Sequence, residues 1–231
     1  MIVYGKNVAK EVLQKNKKVK KIYIQRDFSD KTIISLIEKR KLSYEYLDKN
    51  MLHKFEKYSH QGIILDIEDF VYANIDNMFN ADPETVVLLD HIEDPHNLGA
   101  IIRTCEAAGI KWIIIPKDRS ALVNATVMKT SVGAVENVNI VLVTNLNDTI
   151  KKMKKANYWI VGTDMNGEDY KKIDYSGKTC IIIGNEGKGI SKSIESSCDF
   201  IAQIPMYGKV NSLNASVAAG IIIFEVVYSK K

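Results

Sequence analysis

The chain has 231 residues, of which 46% are hydrophobic and 26% charged, so it can form one large globular domain or two modest ones. The sequence opens without a charged-then-apolar leader, and it contains no apolar run of about 18 residues. The three cysteines are odd in number and far apart, which argues against a disulfide framework. These features exclude a membrane protein and predict a cytoplasmic one.

Positive charge is concentrated near the start of the chain. Residues 1–75 hold 15 Lys and Arg against 10 Asp and Glu, a net charge of +5, whereas residues 76–231 carry a net charge of −1. Clustered cations suit a phosphate backbone, although a solvated Lys-rich face is the commoner explanation.

Residues 1–70 predict a small α/β unit of alternating short helices and strands. Helices are predicted at Asn7–Lys15, in the stretch capped by Asp30 and at Met51–Tyr58, and strands at Lys21–Gln25, Tyr44–Leu47 and Gly62–Ile67. Residues 73–84 break this rhythm with Asn, Asp and Pro. We therefore predict an N-terminal domain over 1–72, a linker over 73–84 and a second domain over 85–231.

In the second domain, continuous apolar strands alternate with helical stretches. This pattern predicts a mostly parallel sheet with helices on both faces. The predicted strands are Val86–Leu89, Ile110–Ile115, Val138–Val143, Trp159–Gly162, Thr179–Ile183 and Phe200–Ile204. The predicted helices are Leu98–Ala108, Leu122–Ser131, Leu146–Ala156 and Ile190–Ser196.

The first of three polar loops follows a strand, with Asn97 predicted to cap the next helix and Gly109 to end it. Arg103 lies on that helix, which otherwise looks buried, and only 4 of the 32 Lys and Arg residues are Arg. This favours a requirement for a planar, permanently charged group, with a structural ion pair as the alternative. His91 and His96 flank two carboxylates, but their spacing fits no standard ligand pattern, so no metal is predicted.

The second loop, Gly184-Asn-Glu-Gly-Lys-Gly189, places three glycines between a buried strand and a helix. Glycines at such a place indicate a close approach of the backbone to another group. The loop is neither a Walker A sequence nor a G-x-G-x-x-G fingerprint. Glu186 at its tip has little packing role, although a plain strand-to-helix connection is an equally good reading of the loop.

The third loop leads into a helix predicted from Ala215 to Tyr228, behind the two good N-cap residues Ser212 and Asn214. This helix is apolar on nearly every side, which predicts burial, and at about 14 residues it is too short to cross a bilayer. An ordinary capped core helix is the alternative. All three loops follow a strand and open a helix, so they could converge at one end of the sheet.

Together these residues resemble the SpoU (TrmH) family of RNA ribose 2′-O-methyltransferases. The family's N-x-G-A-I-x-R-T motif is matched by Asn97–Thr104, its G-x-E-x-x-G motif by Gly184–Gly189, and its I-P-M-x-G-x-V-x-S-L-N-x-S-V-A motif by Ile204–Ala218. Order and spacing also agree. Near the front, Tyr4-Gly-Lys-Asn-Val and His60-Gln-Gly-Ile resemble the family's accessory RNA-binding domain.

The resemblance implies a SPOUT-type α/β domain with a trefoil knot, in which the C-terminal helix is threaded through a loop. It also implies a small N-terminal α/β RNA-binding domain with an L30e-like, ribosomal-protein fold. Family members are homodimers with active sites at the subunit interface, bind S-adenosyl-L-methionine and need no metal. The resemblance is closest to the branch that methylates guanosine in 23S ribosomal RNA.

Residue by residue, the resemblance implies two groups of site residues. Catalytic or orienting roles fall to Asn97, Arg103, Glu186, Ser212 and Asn214. Binding of the methyl donor falls to Thr163, Gly184, Ile204, Met206 and Leu213. The guanidinium of Arg103 is expected to act as a phosphate clamp rather than as a general base, because it is effectively never deprotonated.

Three other functions are compatible with parts of the sequence. The same chemistry could act on transfer RNA or on another ribosomal RNA site, since RNA recognised by shape leaves little trace in a sequence. A catalytically silent RNA-binding relative would keep the fold but predicts decayed motifs, and all three motifs are intact. A nucleotide-phosphate enzyme built on the Gly184 loop lacks the Lys-Ser/Thr pair and an acidic metal ligand.

Overall fold

The computed structural model describes residues 1–15, 17–48, 51, 53, 55 and 59–231. The helix predicted at Met51–Tyr58 falls largely outside these residues. The chain is organised around two sheets, one of four strands and one of six. No helix in the described part of the chain is both long and apolar enough to cross a membrane.

The first sheet mixes parallel and antiparallel pairs. Its strands are β1 (Ile2–Tyr4), β2 (Val19–Ile24), β3 (Glu45–Tyr46) and β4 (Ile63–Ile67), and they lie in the order β1-β4-β2-β3. The helices of this part are α1 (Lys6–Gln14) and α2 (Lys31–Lys39). The Asp30 carboxylate caps α2 as predicted, accepting a hydrogen bond from the Ile33 amide at 3.2 Å.

The second sheet is parallel throughout its described pairs, which confirms the predicted α/β class. Its strands are β5 (Thr85–Leu89), β6 (Trp112–Pro116), β7 (Asn139–Val143), β8 (Trp159–Asp169), β9 (Thr179–Ile183) and β10 (Phe200–Gln203), in the order β10-β8-β9-β5-β6-β7. Its helices are α3 (Ile75–Ala81), α4 (Pro95–Ala107), α5 (Ala125–Thr130), α6 (Leu146–Lys155), α7 (Lys192–Glu195) and α8 (Ala215–Tyr228), with 3₁₀ turns at Ala134–Asn137 and Tyr170–Lys172.

Within residues 73–84, predicted to be a linker, the structure has helix α3. Its N-cap is Asn74, and its Met78 is fully buried in the core beside the second sheet. The Ala73 amide also donates to the carbonyl of Ile140. This segment therefore packs against the second sheet, while the domain boundaries themselves stay a prediction.

The two sheets share packed surfaces as well as a chain connection. Helix α5 packs on β1, and side chains from both parts belong to one apolar core. The Tyr72 hydroxyl accepts a hydrogen bond from the Val123 amide at 3.0 Å, and Lys17 pairs with Glu136 at 2.8 Å. The β1 edge of the first sheet consequently faces the second sheet, and the β3 edge is the outer one.

Strand β8 is much longer than the predicted Trp159–Gly162, because it contains a wide bulge. Opposite β10, the partner of Ile201 is Gly162, whereas the partner of the next residue, Ala202, is Glu168. A Cβ atom added at Gly167 would clash with the backbone carbonyl of Ile201, so glycine permits the closure of this bulge. Residues 163–167 are thereby displaced from the ladder at the carboxyl end of the sheet.

Helix α8 spans the predicted residues and is capped by Asn214, but the prediction that it is buried on nearly every side is wrong for the single chain. Ala219, Ile222 and Val226 are fully buried, whereas Val217 and Phe224 are each 51% exposed. The buried side packs against α4 and β9. The apolar outer side of α8 is thus exposed to solvent in the single chain. The threading of this helix through a loop stays a prediction.

The cysteines behave as small apolar side chains, as predicted. Cys105 and Cys180 are fully buried, and burial raises the pKa of both thiols well above the ordinary value. Burial also raises the pKa of Cys198 to about 12. The neutral thiol form is therefore favoured at all three positions.

Candidate functional site

The predicted loops lie at one edge of the second sheet. They follow β5, β9 and β10, and β8 lies between β9 and β10. Because these strands are parallel, their carboxyl ends share one edge, which is where ligands bind in such sheets. The three motifs therefore meet, as the sequence suggested they could.

The side chain of Asn97 joins all three loops. Its amide nitrogen donates to Glu186 Oε1 at 2.6 Å, and its amide oxygen accepts from Nδ2 of Asn214 at 3.0 Å. Asn214 in turn accepts from the backbone amides of Ser216 and Val217 as the N-cap of α8. Asn97 is only 7% exposed, whereas Glu186 and Asn214 are exposed, so the buried amide at the centre is held by two partners at the surface of the site. We call Glu186, Asn97 and Asn214 the amide junction.

The prediction that Asn97 caps helix α4 is wrong. The helix begins at Pro95, and Asp94 is its N-cap, accepting from the His96 amide at 2.8 Å. Proline is favoured at the first helical position because its fixed φ suits the helix and its missing N–H would have no partner there. Asn97 lies one turn inside, where its side chain is free to reach the other two loops.

The glycine loop is closed on itself, which holds Glu186 at its tip. The backbone of Asn185 exchanges two hydrogen bonds with Gly189, at 3.0 and 2.9 Å. A Cβ atom at Gly184 would clash with the backbone of Gly189 and Ile190, so only glycine fits there. Gly189 itself has φ +66°, a left-handed conformation that glycine adopts without strain.

Two residues that the sequence analysis did not identify, Asp90 and Asn185, hold the glycine loop against the loop that follows β5. The Asp90 carboxylate, 2% exposed, accepts from the Ser191 amide at 2.7 Å and lies 2.5 Å from Nδ1 of His91. Asn185 donates from Nδ2 to the His91 carbonyl at 2.8 Å. The available signal was a carboxylate directly after a buried strand, a place where an unpaired charge is costly.

A cavity of about 430 Å³ opens between these loops. All five residues predicted to bind the methyl donor line it: Thr163, Gly184, Ile204, Met206 and Leu213. Two of the five predicted catalytic residues, Glu186 and Ser212, line it as well. Residues that the sequence did not single out also contribute, among them Asp164, Met165, Asn166, Lys188, Ala202 and Ala218.

The stretch 205–213, which contributes Met206, Asn211, Ser212 and Leu213 to the cavity wall, is open to hydrogen bonding. Among the described residues, no hydrogen bond engages the backbone amides and carbonyls of this stretch. On the opposite wall, the Thr163 hydroxyl donates to the Ile182 carbonyl at 3.0 Å, which fixes that side chain on β8. The cavity thus combines one rigid wall with one wall of available polar groups.

Arg103 does not reach this site within the single chain. It is exposed on α4, is absent from the cavity lining, and makes no hydrogen bond or ion pair with a described residue. Six residues separate it from Asn97, so the two side chains leave the helix on different flanks. Within one chain, Arg103 therefore has no contact with the other predicted catalytic residues, and the alternative of a structural ion pair finds no support among the described residues.

Comparison with known proteins assigns the family. The model of the SpoU rRNA methylase family matches residues 84–224, and the model named RNA 2′-O ribose methyltransferase substrate binding matches residues 2–73. The chain belongs to the SpoU (TrmH) family of RNA methyltransferases. YacO of Bacillus subtilis, assigned to the TrmH family of tRNA/rRNA methyltransferases, is 37% identical over 99% of this chain and 95% of its own length.

Two solved structures share the whole fold with this SpoU-family chain. The SpoU methyltransferase AviRb from Streptomyces viridochromogenes, in complex with the cofactor AdoMet, has a TM-score of 0.84 at 24% identity and is matched over 99% of this chain and 89% of its own. An AdoMet-bound rRNA methyltransferase from Sinorhizobium meliloti has a TM-score of 0.80 at 26% identity, over 97% of this chain and 85% of its own. Both matches extend over both sheets.

The buried carboxylate of Asp90 should be needed for the stability of the site. We predict that Asp90→Ala lowers the free energy of unfolding by about 1–3 kcal/mol, because the Ser191 amide is left without its acceptor. Thermal and urea unfolding measure this loss. Asp118→Ala is the matched control, since Asp118 is an exposed aspartate at the same edge of the sheet, and it should change stability by no more than about 0.5 kcal/mol. Equal stability of both variants would contradict a fastening role for Asp90.

Proposed function

We propose that this protein transfers a methyl group from S-adenosylmethionine to the 2′-hydroxyl of a ribose in structured RNA, with a guanosine of 23S ribosomal RNA as the favoured target. Family membership supports methyl transfer to RNA. The observation that carries the proposal is the amide junction, which brings the three motif loops together beside the 430 Å³ cavity.

The cavity fits the methyl donor in size and in chemistry. Pockets for ligands of this size have volumes of roughly 300–1,000 Å³. Ile183, Ala202 and Ala218 supply apolar surface for a flat base, and the unengaged backbone groups of residues 205–213 can bind its polar edge. Asp164 and Glu186 place carboxylates on the lining of a pocket whose proposed ligand carries positive charge.

Different residues of this chain bind the methyl donor and orient the ribose. The backbone near Gly184, Ile204, Met206 and Leu213 holds the adenosyl part, with Thr163 on the rigid wall. When bound, S-adenosylmethionine supplies an electrophilic methyl carbon on a sulfonium. Displacement at that carbon requires the ribose oxygen to be aligned behind it, and alignment alone lowers a barrier by up to about 7–11 kcal/mol in well-oriented models.

Asn97, Asn214 and Ser212 are proposed to position the ribose. Asn97 and Asn214 are fixed by the amide junction, so their remaining hydrogen-bonding groups have a defined direction. Ser212 is exposed at the cavity and its hydroxyl can reach an incoming sugar. Glu186 acts on Asn97 by holding its amide, which is a positioning role rather than proton transfer.

We further propose a homodimer in which the outer side of α8 is covered by a second copy of the chain. Val217, Phe224 and Tyr228 of α8 are apolar or aromatic and 51–78% exposed. Helix α4 packs beside α8, and its own exposed positions Arg103 and Ala107 lie one turn apart. A second copy that covers α8 would therefore also meet Arg103, and could receive it in its own site.

In this arrangement Arg103 serves the site of the partner subunit. A guanidinium is planar, keeps its charge and donates two parallel hydrogen bonds to a phosphate. It would hold the RNA backbone next to the reacting ribose and stabilise negative charge as it develops on the 2′-oxygen. The proton is lost to another acceptor, because the guanidinium cannot take it.

Ribosomal RNA is favoured over transfer RNA by the N-terminal part of the chain. The rRNA methyltransferase from S. meliloti is matched over nearly the whole chain, including this part, and its sequence identity is 26%. The net charge of +5 over residues 1–75 suits an RNA surface. The name of YacO covers both RNA classes, so transfer RNA stays the alternative. Either substrate would place the enzyme in the cytoplasm.

The proposed activity is tested with tritiated S-adenosylmethionine and separated unmodified ribosomal and transfer RNAs. We expect label in 23S RNA, recovered after alkaline hydrolysis as a dinucleotide, because a 2′-O-methyl group removes the nucleophile that cleaves the neighbouring phosphodiester. Label on a mononucleotide would indicate base methylation and contradict the ribose assignment. Label in transfer RNA alone would reject the favoured target and retain the chemistry.

A mixed-subunit experiment tests the role of Arg103. We predict that Arg103→Ala homodimers lose activity by about 100-fold or more, as for other groups that stabilise developing charge. Glu186→Ala homodimers should lose activity by a similar factor, because Asn97 is no longer held in position. After subunit exchange of equal amounts, activity should return to about a quarter of the wild-type rate, since half of the dimers are mixed and one of their two sites has both residues.

The control for this experiment is a mixture of Glu186→Ala with Asn214→Ala. Both residues belong to the same chain's amide junction, so their mixed dimer retains no complete site and should stay inactive. Failure of the Arg103→Ala and Glu186→Ala mixture to recover, with subunit exchange verified by mass, would place Arg103 in its own subunit's site and contradict the proposal.

A further inference from the structure

Two tyrosines form an exposed aromatic pair on the outer edge of the first sheet. Tyr46 lies in β3 and is 53% exposed, and Tyr44, just before it, is 41% exposed. Their ring centroids are 5.8 Å apart with an interplanar angle of 81°. A hydrogen bond with the Tyr46 side chain raises the pKa of Tyr44, which favours the neutral phenol. Neither ring is needed to fill the core.

An arginine lies over this pair. The guanidinium carbon of Arg26 is 5.7 Å from the centroid of the Tyr46 ring, and Arg26 is exposed. Arg40, the other arginine of this part of the chain, donates to the backbone carbonyls of Val12, Leu13 and Lys17 and is therefore structural. In the described part of the chain, Arg26 has no ion pair or hydrogen bond, so its donors are available to a ligand.

The place of the pair in the fold leaves it accessible. Among the residues that the structure describes, strand β3 pairs only with β2, at the edge of the sheet opposite to β1, and β1 is the strand on which α5 packs. The packing of α5 on the first sheet is therefore at the opposite edge from the tyrosine pair. A ligand bound there would lie on the far side of the N-terminal sheet, beyond the packed contact with the second sheet.

Charge and chemistry together indicate the occupant. The first 75 residues carry a net charge of +5, which favours a polyanion. Exposed aromatic rings with an arginine plane beside them are how proteins stack unpaired bases of RNA, and paired helices offer no base face to stack on. Tyr and Arg are also common at protein–protein interfaces, so the net positive charge of this part of the chain, together with the residue types, favours RNA as the occupant.

We propose that Tyr44, Tyr46 and Arg26 form a stacking platform for unpaired bases of the RNA substrate, so that the enzyme holds a loop or bulge at a distance from the methylated ribose. This inference rests on the proposed RNA methyltransferase function and assigns a binding mode to named residues of its N-terminal part. The platform would select RNA by its unpaired nucleotides, while the amide junction acts on the ribose.

The test measures the affinity of the full-length protein for two RNA probes at one fixed salt concentration. One probe is a short hairpin with a purine-rich single-stranded loop, and the other is a duplex of the same stem. The Tyr44→Ala/Tyr46→Ala variant should bind the hairpin about fivefold or more weakly, as expected for the loss of base stacking, with little change for the duplex. Tyr44→Phe/Tyr46→Phe keeps both rings and should bind the hairpin within about twofold of wild type.

Arg26→Lys keeps the positive charge and removes the planar group, so it should also weaken hairpin binding. Unchanged hairpin affinity of the double alanine variant, with its circular dichroism and unfolding midpoint retained, would overturn the platform. An equal loss for hairpin and duplex would overturn it too, because that result indicates general charge or shape recognition. Calorimetric binding of S-adenosylmethionine and methyl transfer by the wild-type enzyme are measured separately, so failure of the proposed function is recognised independently.

Discussion

The structure depends on one hydrogen-bonded unit with a buried centre, the amide junction of Glu186, Asn97 and Asn214. An amide side chain suits this place because it donates on one side and accepts on the other, so one residue satisfies a carboxylate and a second amide together. A buried polar group without partners is costly, and the buried amide of Asn97 has a partner at its nitrogen and at its oxygen. The loops after the parallel strands β5, β9 and β10 are thus held at fixed positions relative to one another.

This arrangement links the fold to the chemistry through rigid elements. The glycine loop closes on itself, the bulge in β8 turns residues 163–167 toward the cavity, and the capped end of α8 carries the third loop. Each wall is supported by secondary structure, which favours accurate alignment of donor and acceptor. The stretch 205–213 is the exception, and its unengaged backbone leaves room for ligand or partner to complete the site.

Much of the architecture could be predicted from periodicity alone. The apolar strands and the long apolar helix have clear sequence patterns, and the bounds of β9 and α8 were predicted residue for residue. The cap of α4 was misplaced, because Asp94 followed by proline offers an earlier start than Asn97. The bulge in β8 could not be predicted from the sequence, because its polar residues have the composition of an ordinary loop. Only the pairing of β8 with β10 in the structure shows it.

The site was predicted less completely than the fold, for two physical reasons. Residues such as Asp90 act through contacts between loops distant in sequence, which a single sequence does not display. Arg103 was assigned correctly to a motif, but its motif neighbours lie on another flank of the same helix, and a second chain is needed for the proposed role. The aromatic pair on β3 became visible only once the strand order placed it on an outer edge.

The most direct test of the central claim measures energetic coupling across Asn97. Calorimetry would give the affinity for S-adenosylmethionine of Glu186→Ala, Asn214→Ala and the double variant, each with Asn97 present and in the Asn97→Ala background. With Asn97 present, the two changes should be non-additive by at least about 0.5 kcal/mol, because both break one shared connection. In the Asn97→Ala background they should add within about 0.3–0.5 kcal/mol. Additive effects in both backgrounds would contradict the account.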